Sequence, residues 1–337
     1  MVKSSLTLRP EDVQYFQEHI QMLKETDDTQ PILLAIRTKC LNENDSLLLK
    51  VGLEYIYING FYKDMDEMIQ KNRETGIPSN IQWAEVYQLM MDAVHQVKSP
   101  HLILQQAGRL QTEEPELICL LEYVKLHAHI NMNKYSEFGN FLNQYQYYLE
   151  EVEDRLLKYA FRIRLYSLLL FYHLMRNEVL MARKFGYRLL QQTFNDKTKV
   201  NAHMKLGLSY TFESYEQGML HLREALKLAE KQELHQRIYE IRHNNIPFLA
   251  AHYGRPEGIT TEDKAEQAHL EIAKGNNDKA IDILNSLDEE TPFSVYYLGK
   301  AKQDREILLR AYRMFIRDRR DFFFSRLSLQ AIRELDL

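Results

Sequence analysis

Apolar residues recur at intervals of three and four along nearly the whole chain, the period of helices that each bury one face. The run LGLSYTFESYEQGMLHLREALKLAE (206–230) reads as two amphipathic helices joined by a short turn, and no strand pattern is evident anywhere. The helical pattern breaks at GIPSN (76–80), KSP (98–100), EEPE (113–116), TFNDKT (193–198), YGRPEGITTED (253–263) and DEETP (288–292). Proline, glycine and side chains that favour helix caps punctuate each of them. The breaks are short and none reads as a linker, so they divide the chain into successive helix–turn–helix units.

Within these units small residues keep fixed offsets. Gly207 and Tyr210 are three apart, and Gly218, Leu222 and Ala225 follow at intervals of four and three. Gly52 and Tyr55 repeat the first spacing, while Phe138, Leu142, Tyr145 and then Ala182, Gly186, Leu189 repeat the second. Ala268, Ala280, Leu284 and, later, Gly299, Ala311, Phe315 continue the series. The spacing is close to the tetratricopeptide pattern, in which small residues let two helices approach and large ones fill the gap between them. One hairpin cannot bury its own apolar face, so five or more such units predict an all-α fold, a right-handed α-solenoid of tetratricopeptide-like hairpins. The expected organisation is one solenoid over 1–337, with N-terminal helices over 1–50, N-terminal repeats over 51–192 and C-terminal repeats over 193–337. The first helices of the pairs would line a concave face suited to an extended peptide or a partner helix. The competing reading, an irregular bundle, makes the shared spacings and break positions a coincidence.

Composition supports helix: 337 residues hold only 12 glycines and 8 prolines. A net charge of -5 gives the chain no general attraction to nucleic acid. Cys40 and Cys119 lack CxxC spacing and read as core thiols in a reducing, cytoplasmic setting. The most apolar stretch, LYSLLLFYHLM (165–175), is too short for a bilayer and reads as a buried helix, so no membrane is expected. Chemistry is hard to find. No phosphate-cradling glycine loop is present, and His127 and His129, two apart, fall on different faces of a helix and make no metal pair. Asp64, Asp66 and Glu67 lack the glycine and later glutamate of a calcium loop and read as a solvated helix face. A binding protein that needs no cofactor is expected rather than an enzyme.

What polar residues would line its groove? Arg155, Lys158 and Arg162 share one helical stripe with Arg164 off it, and IRDRRD (316–321) sets three arginines against two aspartates. Both segments read as solvated faces or as guanidinium groups that hold a charged or carboxylate-ended peptide. Asn201, with Met204 and Leu208, faces inward when counted from Gly207, and its amide can grip a peptide backbone; equally, it can cap a helix after TFNDKT. Asn244 and Asn245 precede Pro247 and mark either a helix end or polar contacts in the groove. Arg164, Tyr172 and Arg176, from the preceding repeat, are candidates for the same lining.

Several stretches also resemble a known family. KCLNENDSLLLKVGLEYIYINGFYKDMDEMI, LGLSYTFESYEQGMLHLREALKLA, IRHNNI, and AEQAHLEIAKGNNDKAIDILNSLD followed by YYLGKAKQD are similar, in order, to the arbitrium receptors (AimR) of temperate phages, tetratricopeptide regulators related to Rap proteins. The resemblance covers about residues 38–335. It implies an intracellular receptor for a short signalling peptide, held among the C-terminal repeats, whose binding changes a dimeric DNA-binding activator and shifts a phage from lysis towards lysogeny. Asp321 matches an acidic residue that serves the family's peptide site; its alternative is an ion pair with Arg317 or Arg320. Tyr172, Arg176 and Thr198 stand where the family carries asparagine or arginine, which implies either a ligand of different sequence or a pocket put to another use. The family's helix-turn-helix has no counterpart in SSLTLRPEDVQYFQEHIQMLKET (4–26), which reads as one amphipathic helix. DNA is then reached only through such a domain supplied elsewhere, and otherwise the partner is a protein. A Rap-like inhibitor or phosphatase of a response regulator, and a scaffold without a peptide, are the alternative readings.

Overall fold

Four of the prolines that interrupt the pattern begin helices, while Pro256 lies in a loop. Pro78, Pro100, Pro115 and Pro292 each lie in a first turn, where the missing N–H has no intrahelical partner to lose. Side-chain caps set the other starts: Asp45 accepts from the amides of Leu47 and Leu48, Asn195 from Lys197 and Thr198, and Thr291 forms a capping box with Ser294. The structure is a computed structural model that describes residues 29–132, 134 and 138–336. The helix expected over 4–26 lies outside them.

The described residues are all-α, and their contacts divide into two compact units, Met1–Arg164 and Leu165–Leu337. The first contains α1 (Gln30–Asn42), α2 (Ser46–Ile58), α3 (Met65–Glu74), α4 (Pro78–Val94), α5 (Pro100–Ala107), α6 (Pro115–Asn131) and α7 (Phe138–Glu151). The division falls within α8 (Arg155–Met175). The second unit continues with α9 (Val179–Gln192), α10 (Asp196–Ser209), α11 (Tyr215–Lys231) and α12 (His235–Tyr239), which runs into a π-helical turn, Glu240–Asn245. Then come α13 (Ile246–His252), α14 (Lys264–Ala273), α15 (Asn277–Asn285), α16 (Pro292–Lys302), α17 (Arg305–Arg319) and α18 (Ser325–Leu335). All six breaks expected from the sequence separate helices here.

Consecutive helices pair as hairpins, α10 with α11, α14 with α15 and α16 with α17. The small residues do in the structure what their spacing predicts. A methyl group on Gly207 would sit 2.8 Å from Leu222 Cγ and 3.0 Å from the Gly218 carbonyl oxygen; one on Gly218 would sit 3.1 Å from the Gly207 carbonyl oxygen and 2.6 Å from Leu249 Cδ2. The two backbones therefore touch, and an added carbon must part them. Gly218→Ala is expected to cost about 1–3 kcal/mol of stability in urea unfolding, as overpacking of a close interface does; an unchanged midpoint would show that the hairpin has room after all.

Two readings of polar residues change. Asp64 is not on a solvated face: its carboxylate takes both Nε and Nη2 of Arg37 at 2.6 Å, and its side chain is only 13% exposed. Asn201 is not a cap, because Asn195 already caps α10 and leaves Asn201 within the helix. Cys40 and Cys119 are buried free thiols, and burial pushes the Cys40 thiol up to about 12.

Candidate functional site

The seven candidate residues separate into three places. Arg164 belongs to the core of the first unit. Its guanidinium is 2% exposed and donates to the Glu54 carboxylate, Nη2 to Oε2 at 2.6 Å and Nε to Oε1 at 3.2 Å. It lies over the rings of Tyr57 (4.4 Å) and Tyr123 (4.9 Å), and the Tyr87 hydroxyl donates to the same carboxylate. Arg155 and Arg162 are exposed, so the residue that the sequence sets off the basic stripe is the one turned inward.

The second place is where the beginning and end of the second unit meet. The Phe322 amide donates to the Met175 carbonyl at 2.8 Å, and Arg326 donates to Asn177 Oδ1 at 3.1 Å. Tyr172 and Arg176 sit at this end of α8, the Arg176 guanidinium over the Tyr172 ring (5.4 Å) and paired with Glu178 at 2.8 Å. Asp321, buried, accepts the Phe324 amide at 2.8 Å and so caps the turn that leads into α18. It makes no ion pair with Arg317 or Arg320, the alternative that its sequence offered. Burial raises its carboxyl to about 6, against the Phe324 hydrogen bond and the Arg319 charge, which lower it. Next to it the interior is filled by rings: Phe323 packs on Phe212 (5.1 Å) and Phe324 on Phe248 (5.6 Å) and Phe293 (5.1 Å).

The third place joins α10 to the π turn, which pack against each other. The π turn has a local cause. Pro247 has no N–H for the His243 carbonyl four residues earlier, and a hydroxyl takes that acceptor instead: Thr261 Oγ1 donates to it at 2.6 Å. The Glu262 amide donates to His243 Nδ1 at 3.0 Å and holds the same turn. Asn244 and Asn245 thus sit in a widened turn, neither at a helix end nor in a regular helix. They and Asn201 are half-buried, and none of the three side-chain amides has a hydrogen-bond partner among the described residues; Asn245 Oδ1 is fully buried. Amides left unspent beside water are free to take a ligand's main chain, each offering two donors and an acceptor.

The family model for AimR transcriptional regulator-like proteins matches residues 33–334. The chain belongs to that family. It is a family of regulators and not of enzymes. The chain is 20% identical over 307 residues to the AimR transcriptional regulator of Bacillus phage SPbeta, covering 88% of this chain and 79% of that protein. An uncharacterized protein of Bacillus anthracis is 24% identical over 218 residues, covering 61% of this chain and 80% of its own. A solved phage AimR–ligand structure superposes with a TM-score of 0.77 at 17% identity, covering 99% of this chain and 100% of that one, which establishes the AimR fold.

On this AimR fold, sequence reasoning missed Lys205, one turn after Asn201 on the same face. Lys205 is half-buried and has neither a hydrogen bond nor an ion pair with any described residue, and its pKa is lowered to about 8 by burial first and then by the Arg237 charge. Its signal was present, since Asn201, Lys205 and Leu208 follow the same four-and-three spacing as the apolar positions. Also unforeseen was a chain of bonds across three helices: His203 Nδ1 to His221 Nδ1 (2.9 Å), His221 Nε2 to Tyr187 (3.0 Å) and Tyr187 to Tyr210 (3.0 Å). Among the described residues no group of His, Cys, Asp or Glu is disposed to hold a metal ion, and no helix is long and apolar enough to cross a membrane.

Proposed function

We propose that the chain is a cytoplasmic receptor for a short communication peptide, bound in extended form among the C-terminal repeats, and that it regulates the transcriptional choice of a phage between lysis and lysogeny. The observation that carries this reading is the trio of unspent amides, Asn201 on α10 and Asn244 and Asn245 on the π turn, half-buried where two helices adjoin. Buried polar groups nearly always find partners, and Asn245 Oδ1 has none; with the half-buried Asn201 and Asn244 amides also unspent, it points to a ligand that supplies main-chain N–H and C=O groups. Membership of a regulator family and the likeness to a ligand-bound AimR agree with it. Asp321 is the counter-charge for a basic residue of the peptide, and Tyr172 and Arg176 line the approach to it. The peptide draws neighbouring hairpins together and so shifts the population of the receptor, as a dimer, between a form that engages its DNA or protein target and one that does not. Arg164 has no part in this site.

Calorimetric titration with a library of short peptides tests the reading. Binding is expected for some members, and Asn201→Ala and Asn244→Ala are each expected to weaken it about tenfold, the effect of losing one or two net hydrogen bonds. A library without a single binder, or alanine variants that bind as tightly as the native receptor, would remove the groove from consideration.

A further inference from the structure

In the first unit, α4 ends on a strained residue. The Val97 amide donates to the Asp92 carbonyl at 2.9 Å, and Gln96, just before Val97, lies in the left-handed region (φ 55°). Glycine is the ordinary residue at such a helix end, and a side chain there strains the backbone. The next residue commonly packs back on the last turn of the helix. Val97 does not: the residue it caps is Asp92, whose side chain is polar, and Val97 is 71% exposed. Val94 and Leu102, on either side of it in the chain, are each 38% exposed. Single exposed apolar residues are ordinary, but three within nine positions make a patch.

Two clefts adjoin the patch. One, of about 340 Å³, opens between the start of α5 and the ends of α4 and α6; Ala93, Ile103 and Ala128 form its floor, Gln96 and Asn131 its rim. The other, of about 270 Å³, lies at the end of α5 against Arg73, Glu85, Gln106 and Arg109. Lys98 borders both, paired with Asp92 at 2.8 Å and bonded to Gln106 Oε1 at 3.0 Å. The eight residues of α5, about 12 Å of helix, thus run from an apolar recess to a polar one. The charges along it are one-sided. Residues 93–112 hold Lys98, Arg109, His95 and His101 and no aspartate or glutamate, in a chain with 48 acids and a net charge of -5. Asp92 neutralises Lys98, and Glu85 balances Arg73 across the second cleft. Arg109 is left over: it is exposed and has no partner among the described residues.

We propose that this face of the first unit docks an acidic segment of a partner protein, with one large apolar side chain in the cleft between α4, α5 and α6 and a carboxylate on Arg109. The missing acids are the reason for an acidic partner: along α5 nothing on the receptor repels a carboxylate, and an unpaired guanidinium offers it two parallel hydrogen bonds. The valines are the reason for a protein rather than a nucleic acid. An exposed Val97 beside an apolar floor gains from covering by another apolar side chain and gains nothing from a phosphate. The surface is independent of the peptide groove, since every residue in it belongs to the first unit.

The test is fluorescence anisotropy with short labelled peptides in which one leucine or phenylalanine is set among glutamates in every register, and with a matched set carrying lysine for glutamate. Members of the acidic set are expected to bind the native protein, and their lysine counterparts about tenfold more weakly. Val97→Asp and Arg109→Glu, both at exposed positions and shown to be folded by thermal melting, are each expected to weaken the acidic binders about tenfold, the scale of one central interface contact. Arg109→Glu should also lose the preference for glutamate over lysine. No binder in the acidic set, equal binding of the two sets, or native affinity in both variants would overturn the docking surface. A DNA duplex that binds as tightly as the acidic peptides, and is weakened by Arg109→Glu but not by Val97→Asp, would overturn it in favour of a phosphate-binding face. A native oligomer that dissociates in Val97→Asp would overturn it in favour of a contact between copies of the chain.

Discussion

Arg164→Met is expected to destabilise the first unit by about 3–5 kcal/mol, the cost of leaving one member of a buried ion pair without its partner. Glu54 is fully buried and would keep its charge facing the Tyr87 hydroxyl alone. Glu54→Gln, which leaves the guanidinium between two tyrosine rings with a neutral partner, is expected to cost less but in the same direction. The double variant Glu54→Leu/Arg164→Met removes both charges, and its loss should be well short of the sum of the single losses. The readout is built in. Trp83, the only tryptophan, is fully buried and stacks on Tyr87 at 6.2 Å, so its fluorescence during guanidinium unfolding reports on this cluster. Additive losses in the double variant would show that the pair is not coupled. The prediction also separates Arg164 from ligand recognition: a variant with lower stability but unchanged peptide affinity is the expected pattern.

The helices and their limits were legible because their signals are local. A proline before an amphipathic run, or Asp45, Ser99 and Thr291 in front of one, acts within four residues, and sequence shows four residues completely. The pairing of helices was legible for a different reason: Gly207 and Gly218 can serve only where backbones touch, and the touching pair lies eleven positions apart. Arg164 was not legible. Its partner Glu54 is 110 positions away, and nothing near either residue distinguishes a buried guanidinium from one that awaits a ligand. What sequence did carry was its phase, off the stripe of Arg155, Lys158 and Arg162, and phase was the better guide.

The asparagines teach a similar lesson. Two of them, Asn195 and Asn201, compete for the cap of α10, and only the one with amides two and three positions ahead of it at the helix start can win. Its success leaves Asn201 unspent. For Asn244 and Asn245 the decisive residue was Pro247, whose missing N–H opens the turn, and whose effect on the His243 carbonyl is completed by Thr261, 18 positions on. A site made of what local structure leaves over is visible in sequence only after the local claims have been settled.

Above pH 8 Glu266→Gln is expected to be more stable than the native protein by an amount on the order of 4 kcal/mol, and near pH 5 to lose that advantage. Glu266 is buried beside His269 and Tyr297; the Tyr297 hydroxyl donates to Oε1 at 2.7 Å, and Oε2 faces His269 Nδ1 at 3.5 Å. Burial raises its carboxyl to about 8 and holds the His269 imidazole well below its ordinary range, so at neutral pH both are uncharged. A carboxyl raised in the folded state binds its proton more tightly there than when unfolded. The stability it contributes is therefore complete below the unfolded value of about 4.5 and is lost as pH rises through about 8. His269 acts in the opposite sense: its contribution is complete above about 6.5 and declines as pH falls, so between about 4.5 and 6.5 the two slopes offset each other and the native protein is most stable there. Glutamine keeps an acceptor for Tyr297 and has no proton to lose, which removes the alkaline slope and leaves the acid one. Urea unfolding of both proteins at pH 5, 7 and 9 reads the difference directly. Parallel pH profiles would mean that Glu266 is ionised in the folded protein throughout, with its charge stabilised by groups other than these two neighbours.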